Sequence, residues 1–146
     1  MWKKSINRIR NVYKIYLLIA AAMILMLSGC SFSNTSVKKV ADLDYTVVED
    51  EDVPKELKKI IDDKKENSLR LTYSTKDYMY IVAGYGVQPT SGYSIRLNEI
   101  YLGENAIYVD TNLIGPSKSE TVSENPTTPY IVIKIEKRDE AVVFNV

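Results

Sequence analysis

The sequence contains no histidine and a single cysteine, Cys30. Without histidine the chain cannot form a Ser-His-Asp triad, use imidazole in acid–base catalysis or bind a metal through it. It has no P-loop, and Gly84-x-Gly86 lacks the third glycine of a dinucleotide fingerprint. A carboxylate pair could serve a glycosidase, but the acidic residues gather around the predicted helix and turns, which favours solvated charge. We therefore expect a protein that is not an enzyme, without cofactor or metal.

The N-terminus has the composition of a signal peptide. Its first 29 residues contain no acidic residue and an uninterrupted apolar run from Ile15 to Leu27. A bilayer-spanning helix needs about 20 apolar residues, so this shorter run is typical of a secretory signal. An uncleaved N-terminal anchor, in which Cys30 has no role, is the alternative. The basic residues that precede the run are Lys3, Lys4, Arg8, Arg10 and Lys14.

The run ends in Leu27-Ser28-Gly29-Cys30, which resembles a bacterial lipobox. The resemblance implies cleavage before Cys30 and a diacylglyceryl group on its sulfur, leaving 1–29 as a lipoprotein signal peptide. Two acyl chains are sufficient for stable anchoring. A lipid on the only cysteine also removes the thiol as a nucleophile or metal ligand. The expected location is the extracytoplasmic face of a bacterial cell membrane.

The predicted mature chain has two parts. Residues 30–40 are small and polar, which is typical of a flexible tether, and 41–146 form a single domain. Removal of the five leader bases from 19 leaves 14 basic against 19 acidic residues, a net charge of −5. Because nucleic-acid binding requires a basic surface, a nucleic-acid partner is not expected.

Most of the domain has the alternation and turn spacing of β-structure. The exception is an amphipathic helix from about Val53 to Asn67, with Asp52 as the predicted N-cap. The fold class is therefore mainly β: a single β-sandwich or partly open barrel of six to seven strands with one N-terminal helix. A change in alternation after Leu97 predicts a bulge near Asn98-Glu99. Strands are predicted at 44–48, 69–73, 78–83, 93–102, 107–113, 130–135 and 141–146.

Four consecutive acids, Glu49 to Asp52, precede the helix. A calcium loop would need a glycine and spaced aspartates, which this run lacks. Acids ahead of a helix N-terminus interact favourably with its dipole, and this interpretation is preferred.

A segment rich in glycine and proline, 84–93, separates two strand patterns and predicts a rigid connection between strands. A longer irregular connection, 115–128, is of the length usually reserved for function or mobility. Both precede a strand that begins with tyrosine, so the two segments are expected to be neighbours. Tyrosine suits binding surfaces, although it also packs well in strands. The candidate binding loop comprises Gly86, Gln88, Pro89, Thr90, Ser91, Gly92 and Tyr93, and the secondary loop Gly115, Pro116, Pro129 and Tyr130.

The candidate loop and the start of the next strand read Gly86-Val87-Gln88-Pro89-Thr90-Ser91-Gly92-Tyr93-Ser94-Ile95. This stretch resembles the C-terminal domain family of PrcB, whose members are protease-complex-associated lipoproteins. Gly115-Pro116 and Pro129-Tyr130-Ile131-Val132-Ile133-Lys134 continue the likeness, which covers about 78–135. The resemblance implies a non-catalytic accessory domain with an exported partner, such as a protease. Ser91 replaces a family glycine, so it would be strained if that position requires a positive φ.

A weaker likeness exists between Pro89-Thr90-Ser91-Gly92-Tyr93 and the N-P-T-T-G-Y loop of chagasin-type cysteine-protease inhibitors. It implies a second hypothesis, a protease inhibitor that uses the 86–93 loop. A tyrosine-lined surface for cell wall or carbohydrate is a third. A purely structural turn remains open for the 86–93 segment.

The lipobox predicts that replacement of Cys30 by serine abolishes acylation. Metabolic labelling with an alkyne fatty acid should mark the wild-type protein and a Ser31→Ala control but not Cys30→Ser, which should also keep residues 1–29 because cleavage requires the lipidated cysteine. A wild-type protein that is unlabelled and retains residues 1–29 would instead support the uncleaved anchor.

Overall fold

In the computed structural model of the chain, the structure describes residues 37–145, together with Lys14 alone. Cys30 and, apart from Lys14, the predicted signal peptide lie outside the described residues. Within residues 37–145, eight strands form two four-stranded sheets, accompanied by one α-helix and a 3₁₀ turn at Asp50–Asp52. The elements are β1 (Lys39–Asp42), β2 (Thr46–Val47), α1 (Lys55–Lys64), β3 (Ser68–Ser74), β4 (Tyr78–Tyr85), β5 (Ser94–Gly103), β6 (Ile107–Ile114), β7 (Tyr130–Glu136) and β8 (Val142–Asn145).

The two sheets pack as a sandwich. The first sheet has the order β1-β5-β6-β8, and the second has the order β2-β7-β4-β3. All pairings are antiparallel except β6 with β8, which is parallel. The mainly β prediction with a single helix is confirmed in its sandwich form, since the sheets do not close into a barrel.

The strand number exceeds the six to seven predicted, because β1 was not predicted. The strand predicted at 44–48 is present as β2, with only two residues. β1 has four residues, all exposed, and therefore shows no buried face in the sequence. β1 also includes Lys39 and Val40, the last two residues of the predicted 30–40 tether, and Lys39 pairs with Gly103 of β5.

The main core lies between the sheets. Ile81 and Ile133 of the second sheet and Ile107 and Val109 of the first are all fully buried there. Burial of an aliphatic side chain of this size contributes about 1.5–3 kcal/mol. This layer fixes the sheets face to face.

A second core covers the opposite face of the second sheet. Leu57 and Ile61 of α1 are fully buried against Val82 and Val132 of the central strands. β4 is therefore buried on both faces, as its continuous apolar sequence predicted. The helix is a third layer on the sandwich.

The start of the helix differs from the prediction. Asp52 is not the N-cap: it ends the 3₁₀ turn, and the N-cap position is Pro54, which makes no side-chain capping bond. Val53 is extended, with φ −69° and ψ 132°, as expected for a residue before proline. The proline therefore separates the acidic run from α1, which begins at Lys55 and ends at Lys64, earlier than Asn67.

The path between β4 and β5 decides where the candidate loop lies. These strands do not pair with each other, because β4 pairs with β3 and β7 while β5 pairs with β1 and β6. The connection 86–93 thus crosses from one sheet to the other. The predicted bulge is confirmed, as the β5–β6 register shifts between Leu97 and Glu99. Within the described part of the chain, no helix has the length and apolar character needed to cross a membrane.

Candidate functional site

The candidate loop is joined by hydrogen bonds to the long irregular connection, which confirms that the two are neighbours. Gln88 and Thr127 form an antiparallel bridge. The Gln88 amide donates to the Thr127 carbonyl at 2.7 Å, and the Thr127 amide donates to the Gln88 carbonyl at 3.0 Å. The two segments, 86–93 and 115–129, are called the interlocked loops below.

A second set of bonds involves the serine that departs from the family pattern. The Ser91 amide donates to the Ser123 carbonyl at 3.0 Å, and the Ser123 amide donates to the Ser91 Oγ at 2.8 Å. Thr127 Oγ1 donates to the Thr90 carbonyl at 2.8 Å. The loop backbone is therefore held by its neighbour rather than by its own turn.

The condition under which Ser91 would be strained, a positive φ, is not met. Among the described residues a positive φ occurs only at glycine, at Gly86 (71°) and Gly92 (85°). The left-handed conformation falls on Gly92, one residue after Ser91, so serine adopts its backbone angles freely. Its hydroxyl gains a partner, the Ser123 amide, that glycine would lack.

Close packing also requires glycine at position 92 of the interlocked loops. A Cβ at Gly92 would lie 2.9 Å from Pro116 Cβ, and a Cβ at Gly115 would lie 3.4 Å from the Tyr93 ring. The secondary-loop residues Gly115 and Pro116 thus pack directly on the candidate loop. They belong to the same surface.

The start of the loop is fixed to the connection between α1 and β3. A Cβ at Gly86 would lie 3.0 Å from the Glu66 carbonyl oxygen, which accepts a hydrogen bond from the Val87 amide at 3.2 Å. Gln88 Nε2 donates to the Tyr85 carbonyl at 3.0 Å. The loop is therefore positioned by the α1–β3 connection, by the end of β4 and by the 115–129 segment.

The part of the loop that faces solvent is small and apolar. Val87 is 52% exposed, and Pro89 next to it is also exposed. Tyr93 is half-buried against Gly115. The surface thus offers an apolar contact on a backbone that is already ordered, which lowers the entropic cost of binding.

Tyr130 does not point toward the interlocked loops. Its hydroxyl donates to Asp50 Oδ1, and Lys58 Nζ donates both to that carboxylate and to the Tyr130 hydroxyl, the latter at 2.6 Å. The cluster joins the acidic run, α1 and β7. Asp50 therefore has a structural partner, and the described residues contain no group of three or more acidic or cysteine side chains placed to hold a metal. Pro129 stays close to the loop, since its carbonyl accepts from the Tyr85 amide at 3.3 Å.

These contacts shift the ionisation of all three groups. Hydrogen bonds from Lys58 and then Tyr130 lower the pKa of Asp50. Burial lowers the pKa of Lys58, but its bonds to Asp50 and Tyr130 outweigh burial and raise it. Burial and the bond to Asp50 raise the pKa of Tyr130.

Two residues that support the site were not predicted from the sequence. Tyr85 bridges the sheets, since its hydroxyl donates to the Thr111 carbonyl at 2.5 Å and lies 3.0 Å from its Oγ1. Arg70 lies 4.7 Å from the centre of the Tyr85 ring and donates to the Gly84 carbonyl at 2.6 Å. Met79, Ile81 and Ala83 lie on one face of β4, and the same alternation could have indicated that Tyr85 faces the first sheet. Nothing in the sequence marks Arg70.

Residues 79–136, which are 58 of the 146 residues of the chain, match the family described as PrcB C-terminal. No curated protein and no solved structure shows significant similarity to the chain.

The PrcB C-terminal segment runs from β4 to the end of β7. It therefore contains both interlocked loops and the two central strands of the second sheet. The helix α1 and strands β1–β3 and β8 lie outside the matched residues. The family resemblance seen in the sequence is thus confirmed over nearly the same range.

Substitutions at 91 and 92 test whether Gly92 carries the left-handed conformation and Ser91 an unstrained one. Gly92→Ala should lower the free energy of unfolding by about 1–2 kcal/mol, because alanine disfavours a positive φ and its Cβ would crowd Pro116. Ser91→Gly should lower it by about 1 kcal/mol through loss of the Ser123 bond. Urea unfolding measures both, with Ser119→Gly as the control. Stabilisation by Ser91→Gly would show that serine is strained there.

The Asp50–Lys58–Tyr130 cluster predicts a pH dependence. Because the pKa of Asp50 is lowered in the folded state, its contribution to the free energy of unfolding should be present above about pH 4 and lost as the pH falls further. The pKa values of Lys58 and Tyr130 are raised in the folded state, so the contributions of these two groups should be lost above about pH 10. Asp50→Asn should cost less than about 1 kcal/mol at pH 7, since the pair is largely exposed.

Urea unfolding of the wild type and Asp50→Asn at pH 7 and pH 3 tests this dependence. Glu51→Gln is the matched control, since Glu51 is an exposed acid beside Asp50. The difference in free energy of unfolding between wild type and Asp50→Asn should be smaller at pH 3 than at pH 7. The same pH-dependent difference for Glu51→Gln would indicate an effect of overall charge instead of the cluster.

Proposed function

We propose that this protein is a membrane-anchored, non-catalytic lipoprotein whose interlocked loops bind an exported partner protein. The observation that carries the proposal is the exposed Val87-Gln88-Pro89 edge of a loop that neighbouring segments hold rigid. Such a surface needs no ordering on binding. The partner proposed is a component of an exported protease system, which it stabilises or regulates.

The family match supports an accessory role for the segment that carries these loops. The anchor part of the proposal is supported by the lipobox-like Leu27–Cys30 and the apolar run before it. The non-catalytic part is supported by the absence of histidine and, with the proposed lipid on Cys30, by the lack of a free thiol.

Pull-down from solubilised membranes tests the docking surface. Val87→Asp should lose the partner that the wild-type protein retains, because a charge would be buried in the apolar contact. Val40→Asp is the matched control, since Val40 is 58% exposed in β1, which lies outside the interlocked loops. Thermal unfolding should be the same for both variants.

Identical partner sets for wild type, Val87→Asp and Val40→Asp would overturn the role of this loop. Assays of the purified protein against papain-like and subtilisin-like proteases separate docking from inhibition, because micromolar inhibition that Val87→Asp abolishes would favour the inhibitor. Retention on peptidoglycan would favour the cell-wall hypothesis.

A further inference from the structure

The turns of the domain lie at two opposite ends. At one end, Gly86 packs against the end of α1, and the interlocked loops join the start of β5 to the end of β6 and the start of β7. We call this the loop end.

The other end collects the remaining turns. The Gly103 amide donates to the Ala106 carbonyl, the Ile107 amide to the Ala141 carbonyl, and the Lys137 amide to the Asp77 carbonyl. These bonds tie together the β3–β4, β5–β6 and β7–β8 connections. We call this the tether end, because the described chain also begins there.

The position of Val37 establishes that the chain enters at the tether end. β1 pairs with β5 so that Lys39 lies opposite Gly103, the last residue of β5. Val37 precedes this pair, and its Cγ1 would lie 3.0 Å from a Cβ at Gly103. Ser94, at the other end of β5, directly follows the loop residue Tyr93.

Strand geometry sets the distance between the two ends. β5 extends over ten residues from Ser94 to Gly103, which corresponds to about 30 Å at the usual rise. From Cys30 to Val37 there are only seven residue steps, a contour length of at most about 25 Å. A lipid on Cys30 would thus hold the domain by a short segment that joins it at the end remote from the loops.

We infer that the interlocked loops face away from the membrane and meet a partner whose docking segment stands about 30 Å or more beyond the tether end. This inference rests on the proposed function, specifically on lipidation of Cys30. The partner it fits is a protein with an extracytoplasmic domain that rises from the membrane or passes over it. A segment lying flat on the bilayer does not fit.

Energy transfer to a membrane acceptor tests this orientation on the full-length protein in lipid vesicles. Since the lipid occupies Cys30, one introduced cysteine carries the donor dye. Val87→Cys and Ser119→Cys label the loop end, and Lys76→Cys and Glu104→Cys label the tether end; all four positions are exposed. Transfer should be clearly lower at both loop-end positions than at both tether-end positions.

Equal or reversed transfer would overturn the orientation. Flotation of the same vesicles separates this failure from failure of the anchor. Protein that floats but shows equal transfer contradicts the orientation alone. Protein that does not float, or whose Cys30 carries no lipid by mass spectrometry, contradicts lipid anchoring and the orientation with it.

Discussion

Burial of the second sheet on both faces is the constraint on which the rest of the structure depends. Ile81 and Val82 are adjacent on β4 and both fully buried, so their side chains require apolar layers on opposite sides. The first sheet supplies one layer and α1 supplies the other. A strand of this kind cannot be stable in a two-layer domain with one face in water, which explains why the amphipathic helix accompanies so small a sandwich.

This three-layer arrangement also places the loops. Because β4 belongs to one sheet and β5 to the other, the chain between them must cross the edge of the main core. The return from β6 to β7 makes the same crossing in the opposite direction. Two crossings at one end lie side by side, and their backbone groups satisfy one another through Gln88 and Thr127. The rigidity of the candidate site is therefore a consequence of topology.

The free edge of the second sheet has its own protection. β3 is an edge strand of seven residues without proline. Its Arg70 is directed between the sheets, toward the Tyr85 and Phe144 rings. An inward charge on an edge strand disfavours addition of another strand. This edge is thus a poor site for partner binding, which leaves the interlocked loops as the better candidate.

The sequence by itself determined the class of fold, the two-sided burial of β4, the bulge after Leu97 and the family of the central segment. Each of these depends on local periodicity or on a contiguous motif, which a single sequence displays. It also predicted that the two loops are neighbours, from their equivalent positions before two strands. The short strand β1 escaped prediction because a buried face needs more residues to become visible.

Only the tertiary structure decided which residue bears the left-handed conformation and what Tyr130 contacts. Gly92 rather than Ser91 carries the positive φ, and Pro116 from another segment leaves no room for a side chain at that position. Tyr130 adjoins the loop in sequence, yet its hydroxyl bonds to Asp50 and Lys58, since alternation along β7 turns it toward the helix face. Both outcomes depend on contacts between residues far apart in the chain, and no local pattern encodes those contacts.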